Sequence, residues 1–190
     1  FWFPDGAVWL CPGGDPHPRR VTREEPPRTR LTRNWADHTE TVQLEYDPTA
    51  TSYDRLLEMF WGFHDATACH KRQYMSAISY HDKEQKQIDR RQLTRSSSTK
   101  LARTLATKIL PAETFYDAED YHQKYLLTER CADVCKSLRA AGVNLKTSHV
   151  AARLNGYCSG NGSKASFEAE CTQLGLSDQL TEMVRRYVKQ

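Results

Sequence analysis

Asp37-His-Thr-Glu-Thr-Val-Gln-Leu-Glu-Tyr-Asp-Pro48 changes its character within one dozen residues. From Thr41, Val42, Leu44 and Tyr46 alternate with polar neighbours, the period of a half-buried strand. Asp47-Pro48 stops it. Ser52 then supplies an N-cap, and Leu56, Leu57, Phe60 and Trp61 fall on one side of a helix running to about Gly62. Strand followed by helix, within a chain long enough for one domain and an appendage, predicts a mixed architecture.

Downstream, Met75 to Tyr80 reads as a second strand. Asp82 with Gln85 forms a capping box for a long polar helix. Leu101, Leu105 and Ile109 continue its period, while Ser96-Ser97-Ser98 weakens its middle, so two shorter helices are the alternative. Thr107 to Leu110 is a candidate third strand, stopped by Pro111. After Tyr125 the pattern is helical: Cys131 to Ala141 closed by Gly142, then Ser148 to Leu154. Phe167, Cys171 and Leu174 share a face, and Ser177 caps a last helix bearing Leu180, Met183, Val184 and Tyr187. Gly156 to Gly162 reads as a flexible break. The order of elements predicts an α+β fold with a helical C-terminal extension.

The 190 residues carry a formal charge of +3 with bases scattered among acids, which argues against a nucleic-acid partner. No run is apolar enough to span a bilayer. Six cysteines (Cys11, Cys69, Cys131, Cys135, Cys158, Cys171) lack the dense spacing of a secreted scaffold, which favours a reducing compartment. Residues 1–33 differ from the rest. They hold six of the eight prolines and six arginines with no strand or helix period, and read as irregular.

Three segments carry a resemblance. They are Asp37 to Pro48, Phe60-Trp-Gly-Phe-His-Asp-Ala-Thr67 with Arg72-Gln-Tyr-Met-Ser-Ala-Ile78, and Phe115-Tyr-Asp-Ala-Glu-Asp-Tyr-His-Gln-Lys-Tyr125. Together they resemble the A-type peptide methionine sulfoxide reductases, in the metazoan-like form with a C-terminal extension. The resemblance implies a ferredoxin-like two-layer core over residues 34–127, a helical extension over 128–190, and reduction of peptidyl methionine (S)-S-oxide. It implies no bound cofactor or metal. Its partners would be oxidised proteins or peptides and an external dithiol, thioredoxin, in a cytoplasmic setting without nucleic acid or membrane.

The site follows from the same resemblance. Glu40, in His38-Thr39-Glu40, matches the acid that protonates the sulfoxide oxygen, a role for a carboxyl in an apolar pocket. Tyr74 matches a phenol that donates to the same oxygen. Phe1 and Trp2 match an aromatic cage for the S-methyl group, with contacts of about 0.3–1.5 kcal/mol, and Asp5 and His38 complete the substrate side. The opening Phe1-Trp2-Phe3-Pro4-Asp5 places the family's nucleophilic cysteine one position before Phe1, with Phe3 where the family has glycine. Without that cysteine, the alternative is a non-catalytic fragment or binding module of the same fold. Gly156-Tyr157-Cys158-Ser159-Gly160 resembles the loop of the resolving thiol, and Cys158 is the expected resolver. Cys171 reads as packing. Cys131 and Cys135, one helical turn apart, read as a second redox relay or half a metal site. His122 reads as a structural hydrogen-bonder.

The front of the chain departs from the pattern. Permitted codons for Gly6 to Arg20, shifted by one base, spell a family-like Ala-Pro-Phe-Gly-Cys-Ala-Pro-Gly-Val. Those for Val21 to Pro27, in the remaining frame, spell Tyr-Ala-Gly-Gly-Thr-Thr. Residues 6 to about 33 therefore read as frameshifted or decayed, and are expected to fold poorly.

Overall fold

A computed structural model describes residues 39–99 and 104–189. The expectations for residues 1–33, and those for Phe1, Trp2, Asp5, Cys11, His38 and Leu101, lie outside the described residues.

The first half is a β-α-β unit preceded by a helix. Helix α1 (Tyr53–Phe63) starts where Ser52 Oγ accepts from the Arg55 amide, and it buries Leu57 and Trp61. Asp47 makes the preceding turn, its Oδ1 accepting from both the amide and the hydroxyl of Thr49. Strand β1 (Ala77–Tyr80) pairs in parallel with β2 (Lys108–Pro111), from Ala77 opposite Lys108 to Tyr80 opposite Pro111. Pro111 has no amide hydrogen, and the ladder is extended instead by the Ala112 amide donating to Tyr80 O at 2.9 Å.

Helix α2 (Lys83–Thr99) is the crossover. Asp82 Oδ1 accepts from the Gln85 amide and Gln85 Oε1 from the His81 amide, so the box reaches one residue further back than the standard form. The serine triplet does not divide the helix. The Ser97 and Thr94 hydroxyls donate to carbonyls three and four residues back, inside the helix, and Ser96 is buried. The helical period read through Leu105 and Ile109 is not realised. Leu105 packs from an irregular segment and Ile109 sits in β2.

Thr41 to Tyr46 is not a strand among the described residues. Its alternation serves packing instead: Val42 and Leu44 lie against Ala152 of the helical half. The sheet described here is the parallel pair β1–β2.

The second half is helical: α3 (Tyr125–Arg130), α4 (Ala132–Ala140), α5 (His149–Cys158), α6 (Lys164–Glu170) and α7 (Asp178–Arg185). Gly142, at φ 78, ends α4 as a left-handed cap, with the Val143 amide reaching back to Leu138 O. Ser148, Ser163 and Ser177 each cap the following helix through the side chain. One core runs from Leu127 to Val188, centred on Leu154, Tyr157 and Phe167, while Leu57, Trp61, Ala66 and Ile78 form a separate core in the first half. Gly156 is not part of a flexible break. Gly156, Tyr157 and Cys158 form the last turn of α5, all buried, because Tyr157 packs edge-on against Phe167 at 5.2 Å.

Candidate active site

Glu40 is held by the short 3-10 turn Arg72–Tyr74. The Glu40 amide donates to Gln73 O at 2.9 Å, and Gln73 Nε2 donates to Glu40 Oε1 at 3.1 Å. Thr39 Oγ1 donates to Arg72 O at 3.1 Å. Residues 33 apart in sequence are thus brought together, with Tyr74 the next residue along the turn. Tyr74 is 55% exposed, so its ring faces solvent rather than a closed core, where a phenol is available to a ligand.

The turn is braced from behind. His64 Nδ1 lies 2.7 Å from Phe60 O, and its Nε2 lies 2.8 Å from Ser76 Oγ. A carbonyl only accepts, so Nδ1 carries a hydrogen, and in the neutral ring Nε2 accepts from the Ser76 hydroxyl. Thr107, 2.8 Å from Ser76 Oγ, is then the donor to it. The Lys108 amide donates to Ser76 O at 3.0 Å, so α1, β1 and β2 all converge on the residue two places after Tyr74. An open cleft of about 490 Å³ adjoins this brace, bounded by Cys69, Arg72, Met75, Ser76, Lys108 and Leu110. Its lining mixes apolar side chains with the cations Arg72 and Lys108.

His122 stacks on Tyr121 with ring centres 4.2 Å apart and lies 3.7 Å from Glu119. It belongs to a 3-10 turn, Asp120–His122, that leads into the buried Gln123 and Lys124 ahead of α3.

Cys158 sits elsewhere, and it is not on a mobile loop. It is 5% exposed at the end of α5 and is joined by a disulfide to Cys131, at the α3–α4 junction, with Cα atoms 6.2 Å apart. Cys135 remains a thiol, buried one turn from Cys131, its sulfur 3.5 Å from Thr128 Oγ1. Burial, with the Glu170 carboxylate nearby, holds the neighbouring Tyr157 phenol well above its ordinary range. The two regions are linked: Val42 and Leu44, just past Glu40, pack on Ala152. Ala152 precedes Cys158 by six residues on the same helix, about 9 Å along its axis. Cys171 is half-buried, its sulfur 3.4 Å from Glu168 O, in keeping with packing.

The profile described as "Peptide methionine sulfoxide reductase" matches residues 21–154, most of the chain, including Glu40, Gln73 and Tyr74 but not Cys158. The chain belongs to this family. The profile "Selenoprotein methionine sulfoxide reductase A, helical domain" matches residues 142–189, the last three helices and the loop before them. A peptide methionine sulfoxide reductase of Drosophila melanogaster is 39% identical over 160 residues, covering 83% of this chain and 65% of that protein. Peptide methionine sulfoxide reductase A2 of Arabidopsis thaliana is 38% identical over 100 residues, 50% of this chain and 45% of that one. A relative in Geobacter sulfurreducens is 37% identical over 111 residues, 55% and 68% respectively. The chain therefore spans about two thirds or less of most of these relatives.

Two contributors to the site were not singled out by the sequence. Gln73 lay inside a quoted motif, but its bond to Glu40 spans 33 residues and leaves no periodic trace. The His64–Ser76–Thr107 chain likewise joins three polar residues that flank three different elements, α1, β1 and β2.

Proposed function

We propose that the protein reduces peptidyl L-methionine (S)-S-oxide to methionine with thiols as the electron source. A thiolate attacks the sulfoxide sulfur, and Glu40 gives its proton to the oxygen while the Tyr74 phenol donates a hydrogen bond to it. Methionine leaves, and the attacking cysteine keeps the oxygen as a sulfenic acid. A second thiol condenses with it, releasing water and leaving a disulfide, which an external dithiol reduces.

The observation that carries this reading is the pair of hydrogen bonds between Glu40 and Gln73, which sets the acid beside the turn that bears Tyr74. Phe1 and Trp2 would cage the methyl group, with Asp5 and His38 on the substrate side. Cys158 would resolve the sulfenic acid. Its bond to Cys131 then supports a second exchange, in which the Cys131 thiolate attacks Cys158 and frees the first cysteine. We place a catalytic part at 34–127 and a helical extension at 128–190; the separate cores support two parts meeting near α3, whose Leu127 already packs with the extension. We place the complete core in the ferredoxin-like class, residues 6–33 as out of frame, thioredoxin as the reductant, and the cytoplasm as the setting. No helix among the described residues is long and apolar enough to cross a membrane.

The experiment is to extend the chain by a cysteine before Phe1 and assay reduction of a methyl sulfoxide with a dithiol. Turnover is expected, and Glu40→Gln is expected to cost about 10²–10⁴-fold, the usual worth of general acid catalysis. Turnover indifferent to both Glu40→Gln and Tyr74→Phe rejects the reading. Peptide binding without any reduction points instead to a non-catalytic member of the family.

A further inference from the structure

We propose that Gln73 is a positioning residue for Glu40: its side-chain amide selects the carboxyl oxygen that carries the acid proton and holds that carboxyl ready for the sulfoxide oxygen. The inference rests on the reading of Glu40 as the proton donor.

The geometry is a reciprocal clamp. Backbone donates to backbone, from Glu40 N to Gln73 O at 2.9 Å, and side chain to side chain, from Gln73 Nε2 to Glu40 Oε1 at 3.1 Å. Two bonds between the same pair of residues fix both the backbone and the far end of the glutamate. A single bond would leave the side chain free to swing. Thr39 Oγ1 to Arg72 O, at 3.1 Å, ties down the preceding residue of each segment.

The chemistry follows from donor and acceptor roles. An amide N–H can only donate. In a neutral carboxyl the carbonyl oxygen is the better acceptor, and the other oxygen carries the hydrogen. With Gln73 donating to Oε1, the acid proton belongs on Oε2. As that proton passes to the sulfoxide oxygen, Glu40 gains negative charge and the Gln73 bond becomes charge-assisted, about twice as strong as a neutral one. The bond is in place before the proton moves and strengthens as it does, so it serves both sulfoxide binding and proton delivery. Tyr74 follows Gln73 directly, so one 3-10 turn both holds the acid and offers the second donor.

The test needs no turnover and uses the full chain. Affinities are measured for a peptide carrying methionine S-sulfoxide and for the same peptide with methionine, while the Glu40 side-chain carboxyl is followed by carbon-13 NMR, its signal assigned by its absence in Glu40→Gln. Wild type is expected to prefer the sulfoxide peptide. Gln73→Met, of similar shape but without the donor, is expected to lose about tenfold in sulfoxide affinity, to leave methionine-peptide affinity unchanged, and to move the Glu40 resonance. Gln73→Glu is expected to lose at least as much. Equal loss for both peptides, or an unmoved Glu40 resonance, overturns the proposal. Unchanged affinity in Gln73→Met, alongside loss of preference in Glu40→Gln, overturns it while the role of Glu40 stands. A wild-type chain that does not distinguish the peptides, or a preference that survives Glu40→Gln, removes the role of Glu40 and this proposal together.

Discussion

Cys131 and Cys158 are joined by a disulfide that ties the α3–α4 junction to the final turn of α5. The bond closes a loop with a sequence separation of 27, and both partners are buried. In the chain-entropy account a loop of this size stabilises the native state by roughly 3–4 kcal/mol. Reduction should therefore lower the melting temperature of the helical half by several degrees. Thermal scans with and without a dithiol measure it. Cys131→Ser and Cys158→Ser should each reproduce the reduced melting point and be insensitive to the dithiol. A melting point that ignores reduction, after mass mapping has confirmed the pair, would contradict this stabilising role.

Tyr53 and Asp89 make the second prediction. Tyr53 Oη donates to Asp89 Oδ1 at 2.7 Å, and Asp89 is fully buried on α2 with Oδ2 unpartnered. Burial first, offset in part by the tyrosine bond, raises the Asp89 carboxyl above its ordinary value. A raised carboxylate means the folded state holds its proton longer than the unfolded chain does. Stability from this group is complete below the unfolded value and is lost as pH rises through the folded one. Asp89→Asn should remove that slope. Comparing denaturation midpoints of the two proteins from pH 4 upward tests it, and parallel curves would refute it.

Tyr53→Phe removes the hydrogen-bond donor to the same carboxyl. Leaving a buried acceptor unmade costs about 1–3 kcal/mol. The loss should grow with pH, since the charged form of Asp89 needs the donor most. Urea titration at a series of pH values from 4 upward reads the difference.

How much of this was written in the sequence depends on the range of the interaction. Ser52, Ser177, the Asp82–Gln85 box and the Gly142 stop are local, and each acts within four residues. They were legible because capping is a short-range matter of side chain and adjacent amide. Val42 and Leu44 were legible as an apolar face but not as to what they cover, since alternation reports burial and not ladder pairing. The end of α5 was misread because glycine in Gly156-Tyr-Cys158 suggests freedom, while the burial of Tyr157 against Phe167 overrides it. The Glu40–Gln73, Tyr53–Asp89 and Cys131–Cys158 pairs are separated by 27 to 36 residues, and spacing alone names no partner at that distance.

Gly142 offers a test of backbone strain without a steric complication. Its φ is 78, and a Cβ built there would meet nothing within 4 Å. Gly142→Ala should cost about 1–2 kcal/mol through the left-handed conformation alone. At Gly160, φ 80, an added Cβ would also lie 2.9 Å from Lys189 Cε, the flexible end of a side chain. Gly160→Ala should cost slightly more, with the excess removed by Lys189→Ala. Chemical denaturation of the three variants decides it.

Asn155 couples two helices of the extension through one bond. Its Oδ1 accepts from the Leu127 amide at 2.9 Å, near the start of α3, where an amide has no partner within its own helix. Both residues are completely buried, so no water replaces the amide if it is removed. Asn155→Leu keeps the volume but strands the Leu127 N–H, at a cost of about 1–3 kcal/mol. Asn155→Asp keeps an acceptor at the same place yet buries a charge, and should be worse above the carboxylate's titration range and milder below it. Asn155 lies one turn before Cys158 on α5. Weakening the α3–α5 contact should therefore also speed reduction of the Cys131–Cys158 bond, since access to its sulfurs requires these helices to part. Reduction by a dithiol, followed by mass spectrometry under native conditions, should be faster in Asn155→Leu than in wild type. An equal rate in a variant shown to be destabilised would mean that the disulfide is reached without separating α3 from α5.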